Sequence, residues 1–356
     1  MPDRVYLDHA ATTPMRPEAM AAVAEGMARW ANPSSPHAEG RAARRALEDA
    51  RARIARALDW DGEVILTSGA SEALTIALRG IGPDAVLATT VEHDAVFRAA
   101  AGGNRLPVGA DGLVDIADAS PLLAAFDPNG SVLRVAIQST NSETGVVQPI
   151  DRIDARRREA WIGRPIVLLA DCSQSAGKLP LPPADLIVVS AHKLGGPPGI
   201  GALLVRDFGL LAPTGGQEQG YRGGTENLPG ALGFAAALEA PRDWFDRLGA
   251  LRADLDAAIR AGGGGVVADG SPRIPTIAAY RMPGRSAAAQ LMRFDSLGFA
   301  VSAGSACSSG TLKTSHVLAA MGMDAKAASE VIRVSFGWTT TADDVERFAG
   351  AWTAMA

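Results

Sequence analysis

The sequence predicts an α/β protein in which a mostly parallel central sheet, covered on both faces by helices, is followed by a smaller α+β unit. Between residues 15 and 240, apolar, β-branched-rich runs at 64–67, 85–89, 132–137, 166–170, 186–189 and 202–205 alternate with helical segments. Runs apolar throughout, rather than at every second position, fit strands buried on both faces, as in parallel sheets. Beyond Pro241 the pattern changes to a helix, a four-glycine turn at 262–265 and shorter runs at 276–280, 300–302 and 331–335, which reads as α+β. A length of 356 residues fits about two domains. We place the larger at 14–244 and the smaller at 1–13 together with 245–356.

Taken in order, the polar residues that follow the strand-like runs are Ser68-Gly69-Ala70-Ser71, then His93, Asn141, Asp171 and His192-Lys193. Ligands of open α/β sheets bind beyond the carboxyl ends of the strands, so one pocket can collect all of these. The glycines at 262–265 are not a phosphate loop, because no Lys-Ser/Thr follows them.

Composition narrows the class. Hydrophobic residues make up 47% and charged residues 21% of the chain, the balance of a globular protein with a sizeable core. A formal net charge of −5 gives no reason to expect direct nucleic-acid binding, and Arg156-Arg157-Arg158 reads as a solvated helix face. No apolar run is long enough to span a bilayer, and Met1-Pro2-Asp3-Arg4 lacks the apolar core of a signal peptide, so a cytoplasmic protein without a membrane partner is expected. The 2 cysteines, Cys172 and Cys307, have neither disulfide-framework nor metal-site spacing. No metal is expected, and either cysteine would matter as a reactive thiol.

Ser190-Ala191-His192-Lys193 is the most informative stretch. A lone lysine is usually a solvated surface charge, but Lys193 follows a buried strand and precedes Gly195-Gly196-Pro197-Pro198-Gly199, the setting of a Schiff-base nucleophile. A pyridoxal 5′-phosphate site needs such a lysine, a carboxylate for the pyridinium nitrogen, a ring over the cofactor face and an anion cradle. Asp171, at the preceding strand end, is either that carboxylate or the cap of a following helix. The segment 67–72 joins strand to helix and is either a phosphate cradle or a plain helix cap at Ser71. Ser190 and His192 can add charge-assisted contacts to the same phosphate.

Tyr6-Leu7-Asp8-His9-Ala10-Ala11-Thr12-Thr13-Pro14, Asn32-Pro33-Ser34-Ser35-Pro36-His37, Thr67-Ser68-Gly69-Ala70-Ser71-Glu72, Glu92-His93, Asn141-Ser142-Glu143-Thr144-Gly145, Asp171-Cys172-Ser173-Gln174-Ser175, Ser190-Ala191-His192-Lys193, Arg222-Gly223-Gly224-Thr225-Glu226-Asn227 and Ser305-Ala306-Cys307 occur in that order. From Tyr6 to Arg333 this chain resembles the cysteine desulfurases, class V aminotransferases of fold type I. The resemblance implies a homodimer with active sites near the subunit interface.

Carried over residue by residue, the resemblance makes Lys193 the Schiff-base lysine, Asp171 the pyridinium partner and His93 the imidazole stacked on the ring. Gln174 would hydrogen-bond the ring oxygen, with Asn141 beside it and the substrate. Ser71 with the Gly69 and Ala70 backbone, Ser190, His192 and, from the partner subunit, Thr225 would hold the phosphate. Arg333 would clamp the substrate carboxylate, a task suited to a planar guanidinium.

Cys307 decides between reactions. It lies among small residues from Ser302 to Gly310, unlike a packed core segment, and matches the family's Ser-x-Cys loop. The implied reaction converts L-cysteine to L-alanine, leaves a persulfide on Cys307 and passes the sulfur to an acceptor protein in iron–sulfur cluster assembly or tRNA thiolation, with His93 relaying protons. Cys172, after a buried strand, is expected to be packed and inert. Transamination of a small amino acid, selenocysteine lyase activity, and a non-catalytic sulfur carrier or scaffold are the alternatives. The chain ends at Ala356, shortly after Arg333, where many family members continue into an extension that docks a scaffold protein, so scaffold docking is the family feature least carried over by the resemblance.

Overall fold

The computed structural model describes residues 4–82, 85–100, 102–114, 132–160, 166–303 and 315–356. Its strands are β1 (Val5–Tyr6), β2 (Glu63–Thr67), β3 (Val86–Thr89), β4 (Asn104–Leu106), β5 (Leu133–Gln138), β6 (Ile166–Asp171), β7 (Leu186–Ser190), β8 (Gly201–Val205), β9 (Gly265–Val266), β10 (Ile277–Arg281), β11 (Phe299–Ala300) and β12 (Val331–Ser335). The main sheet has the order β2-β8-β7-β6-β5-β3-β4. Its neighbours β7, β6, β5, β3 and β4 are parallel, whereas β8 runs antiparallel to both β7 and β2. The connection from Ser190 to Gly201 holds no crossover helix, and so short a link can join only antiparallel neighbours.

Alternate residues of each strand enter different cores, as the two-residue pleat requires. Val64, Leu66, Val135, Ile137 and Leu168 face one cluster, where Leu47, Ile54 and Phe234 come from the helices Ala38–Ala57 and Leu228–Glu239. Ile65, Ala136, Val167 and Leu169 face the other, against Leu74 and Ile76 of the helix Ala70–Leu78 and Val96 of the helix Asp94–Ala99. Both faces are thus covered, which is why the strand sequences are largely apolar rather than alternating.

The smaller sheet has the order β12-β10-β9, with β10 antiparallel to both neighbours. Phe294, Phe348, Trp352 and Tyr280 fill its core. Leu7 belongs to that core as well, β1 pairs in parallel with β11, and Asp8 bridges to Ser335. The first described residues therefore pack with the last third of the chain. A buried polar network braces this unit: Tyr280 donates to Asp256 at 2.6 Å and accepts from Arg252 at 2.7 Å, and Arg273 pairs with Asp256 at 2.9 Å.

The arginine run at 156–158 is not uniformly solvated. Arg157 turns inward from the helix Ile150–Ala160 and pairs with Asp154 and Asp185, because the start of β6 offers the Ile166 carbonyl as a further acceptor. Among the described residues, no helix is long and apolar enough to cross a membrane.

One buried ion pair ties the edge of the main sheet to the loop carrying Thr225. Arg51 donates Nη1 to Glu218 Oε2 at 2.6 Å and Nη2 to Oε1 at 3.0 Å, while the Leu66 N–H donates to Glu218 at 2.8 Å. Breaking such a pair strands the remaining charge, at a cost of about 3–5 kcal/mol. Glu218→Ala should lower unfolding stability by about that amount in chemical denaturation, and Glu218→Gln by less. An unchanged denaturation midpoint in Glu218→Ala would contradict this role.

Candidate active site

The carboxyl ends of the parallel strands converge on one cavity of about 620 Å³. β6 ends in Asp171. β7 ends in Ser190 and runs into a 3₁₀ turn, Ala191–Lys193, that delivers the lysine. β3 leads through Glu92 to His93, the N-cap of the helix Asp94–Ala99, and β2 leads through Ser68 and Gly69 into the helix Ala70–Leu78. The smaller unit closes the opposite side with Ser302, Ala303 and Arg333, and the strip around Asp8 and Ala10 lies between.

Lys193 points its amine at backbone rather than at a carboxylate. Nζ donates to the Ala10 and Ala11 carbonyls at 2.6 and 2.8 Å. Burial, and then the nearby Arg333 cation, bring its pKa down to about 8, with Asp171 and Asp8 opposing. About a tenth of the amine is therefore free at pH 7, far more than for a solvated lysine. Lys178 behaves similarly, donating to the Gln174 carbonyl at 2.9 Å, its pKa brought down to about 7 by burial and Lys193.

Asp171 accepts hydrogen bonds from the Ser173 N–H and hydroxyl, both on Oδ1. Its Oδ2 has no hydrogen-bond partner among the described residues, and the side chain lines the cavity. His93 Nδ1 accepts from the Ala95 N–H at 3.2 Å, so the neutral ring carries its proton on Nε2. Burial lowers its pKa, with Asp171 opposing. Burial and Lys193 bring His192 down to about 4, so near neutrality it offers one N–H rather than a charge, and its contribution to an anion is a neutral hydrogen bond.

The helix Ala70–Leu78 begins without a side-chain cap, leaving its first-turn N–H groups directed at the cavity. Gly69 has φ 147°, in the region that favours glycine, and a Cβ on Gly201 would lie 2.8 Å from the Gly69 Cα. Glycine at both positions lets the helix start sit directly on the strand end. Ser71, Ser190 and His192 line the cavity beside it. Gln174 donates to the Ala10 carbonyl at 3.0 Å and keeps a buried Oε1 without a partner among the described residues.

Arg333 is held before any ligand arrives. Its Nη1 donates to the Ser142 carbonyl at 3.0 Å and its Nη2 to Asp8 at 2.8 Å, while Nε is buried without a partner.

Two expected site residues stand apart from this cavity. Asn141 is buried with its amide committed to its own turn: Oδ1 accepts from the Glu143 and Thr144 N–H groups, and Nδ2 donates to the Val91 carbonyl. Its neighbours Thr140 and Ser142 line the cavity instead. Thr225 is exposed and does not line the cavity of its own chain. Cys307 lies outside the described residues. Cys172 is fully buried, and burial pushes its thiol up to about 12, the inert behaviour expected of it.

Residue-level reading missed Asp8, the Ala10 and Ala11 carbonyls, Ser173 and Lys178. Asp8, Ala10, Ala11 and Ser173 lie within the stretches that carry the family resemblance, whereas Lys178 lies beyond them. Residue-level reading also missed Glu92, fully buried, whose Oε1 accepts from the Thr89 hydroxyl and the Gln138 N–H and so ties the ends of β3 and β5 together. Burial pushes Glu92 up to about 8.

The depressed Lys193 value has a sign that can be checked. Competitive amine acylation followed by mass spectrometry should give Lys193 a midpoint near pH 8, against about 10.4 for a solvated lysine. Arg333→Met removes a repelling cation, favours the ammonium form and should move that midpoint upward. A downward move would contradict the electrostatic account.

The aminotransferase class-V family model matches residues 5–348. An IscS-like cysteine desulfurase of Mycobacterium tuberculosis is 36% identical over 373 residues, covering 96% of this chain and 93% of that protein. Among solved structures, a NifS-like protein from Rickettsia africae superposes with a TM-score of 0.90 at 28% identity, covering 99% of both chains. The protein SspA, solved in complex with cysteine, superposes with a TM-score of 0.79 at 29% identity, covering 93% of this chain and 98% of its own. With this similarity running nearly end to end over an α/β fold with a mostly parallel sheet, the chain belongs to the aminotransferase class-V family, in the branch that holds the cysteine desulfurases.

Proposed function

We propose that this chain is a pyridoxal 5′-phosphate-dependent cysteine desulfurase, acting as a cytoplasmic homodimer, that converts L-cysteine to L-alanine and passes the sulfur through Cys307 to an acceptor protein. The observation that carries the reading is one cavity holding a partly deprotonated lysine, a carboxylate with a free oxygen and a guanidinium in reach of the same space. The larger unit, 14–244, would supply the cofactor contacts and the smaller, 1–13 with 245–356, the substrate arginine and the Cys307 segment.

The unmet groups of the cavity suit the cofactor. Asp171 Oδ2 would pair with the protonated ring nitrogen, Gln174 Oε1 would accept from the ring hydroxyl, and His93 would stack on the ring. The N–H groups at Gly69, where the bond to the Thr67 hydroxyl is long at 3.4 Å, and at Ala70 and Ser71, with the Ser190 hydroxyl and the His192 N–H, would hold the phosphate, an anion that a helix N-terminus favours. Lys193 would bind the aldehyde carbon. When bound, the cofactor supplies an electron sink that lets a proton leave the substrate Cα.

The chain's own residues then divide the work. Arg333, oriented by Asp8 and the Ser142 carbonyl, grips the substrate carboxylate. The Lys193 amine, once free, accepts the Cα proton, and His93 Nε2 relays protons within the cavity. The Cys307 thiolate bonds to the substrate sulfur as that sulfur separates from Cβ. The electron pair stays with the carbon, which takes up a proton, so L-cysteine and a thiol become L-alanine and a persulfide. Ala303, which lines the cavity, lies four residues before Cys307, and four extended residues span at most about 14 Å. Delivery of the sulfur to iron–sulfur cluster assembly or to tRNA thiolation follows from the persulfide chemistry.

A second copy of the chain is supported by an apolar stripe on the helix Pro17–Ala28. Met20 and Met27, two turns apart, and Trp30 beyond them are 51%, 66% and 79% exposed. Thr225, exposed away from its own cavity, is placed to serve another chain's phosphate under this reading.

Cys307→Ala should keep the cofactor's visible absorbance and lose alanine and sulfide production from L-cysteine. In the unaltered protein, mass spectrometry after exposure to L-cysteine should find about +32 Da on Cys307. A keto acid with an aminated cofactor as the products would instead favour transamination. Arg333→Lys loses the planar two-nitrogen grip, a charged hydrogen bond of about 1.5–3 kcal/mol. It should lower kcat/KM for L-cysteine by about 10- to 100-fold, chiefly through KM. An unchanged KM would remove Arg333 from substrate binding.

A further inference from the structure

The amino end of the main sheet carries a second cavity, of about 370 Å³, at the opposite end of the strands from Lys193. Its floor is Arg134, the second residue of β5, whose last residue, Gln138, lines the active-site cavity. Ile81, Val132, Val167 and Leu211 give it apolar walls, and Arg79 stands half-buried at its rim with its Nη1 on the Thr214 hydroxyl.

Arg134 is 4% exposed, yet its described bonding is a single donation from Nη2 to the Leu210 carbonyl. Nε and Nη1 are buried with no partner among the described residues. The carboxylate that acts on it electrostatically, Asp185, is already occupied by Arg157 and by the Leu168 N–H. Burial accordingly weakens Arg134's hold on its proton. A buried cation with unmet donors is costly in a folded protein unless something supplies the missing charge and acceptors.

We propose that this cavity binds a small monocarboxylate, its charge paired with Arg134 and its short aliphatic tail against the apolar walls. One buried guanidinium neutralises one negative charge, whereas a sulfate or phosphate dianion would bring a second into walls that offer it no partner. The site is independent of the chemistry assigned to the Lys193 cavity.

The test is thermal denaturation of the holoenzyme with sodium butyrate as probe, and with sodium sulfate and phosphate at matched ionic strength. Sulfate raises the Tm of most proteins by exclusion from their surfaces, so the comparison is between variants for each salt. Butyrate should raise the Tm saturably in the unaltered protein and in Arg333→Met, which removes the other carboxylate-binding arginine. The rise should vanish in Arg134→Met, whose Tm without butyrate should equal or exceed that of the parent. Sulfate and phosphate should shift both proteins alike. Ala212→Phe, at the exposed mouth of the cavity, should also abolish the butyrate response while leaving the guanidinium in place. A butyrate rise that survives either Arg134→Met or Ala212→Phe overturns the site. So does a marked loss of Tm in Arg134→Met without ligand, which would mean that the guanidinium already has its structural partner. A sulfate shift that depends on Arg134 more than the butyrate shift does overturns the choice of a monocarboxylate.

Discussion

Lys193, Arg333, Asp8 and Asp171 meet in the central cavity, and the surrounding structure is arranged so that these charges do not all collapse onto one another. Lys193 is steered onto the carbonyls of Ala10 and Ala11, Asp171 is engaged through one oxygen by Ser173, and Arg333 is anchored between Asp8 and the Ser142 carbonyl. Neutral dipoles thus hold much of what direct ion pairs would otherwise hold. This keeps room in the middle and leaves Lys193 buried and beside a like charge, the two conditions, burial first, that weaken its grip on its proton. The constraint reaches outward, since Asp171 and Lys193 ride on the main sheet, Arg333 on the smaller one, and the strip near residue 10 must pass between them.

Much of this was legible in the chain because parallel strands leave a strong trace. Largely apolar runs located β2, β3, β5, β6, β7 and β8 to within a residue or two, because burial on both faces leaves little room for polar alternation, and the run at 331–335 located β12 at its observed ends. The residues just past those ends then fell together as the strand-end rule requires, with Asp171, His93 and Lys193 around one space. The reversal of β8 and the three-residue strand β4 were not legible. Orientation is decided by the length of a connection, and Asn104 and Arg105 are exposed edge residues with no apolar pattern.

The site was less legible where backbone, rather than side-chain type, does the holding. Alanine carbonyls carry no chemical signature, so Ala10 and Ala11 could not be singled out as acceptors for Lys193. Asn141 is expected beside the substrate from its place in the family resemblance, and its Oδ1 also satisfies N–H groups of the tight turn to Gly145, a local task that residue type does not reveal. Glu92 is an ionisable side chain enlisted to join two strand ends.

The strip that runs past Asp8 and Ala10 also sets an order of assembly. Asp8 meets Arg333, and the Ala10 N–H meets the Ser335 hydroxyl, each across 325 positions of sequence. Asp8 and Ala10 thus leave the ribosome long before Arg333 and Ser335 have been made. The main sheet can be complete, with Lys193 already in its turn, while that wall of the cavity is still missing. A chain interrupted before β12 would display the lysine without the enclosure that tunes it, so competence is gained late in synthesis and in a single step.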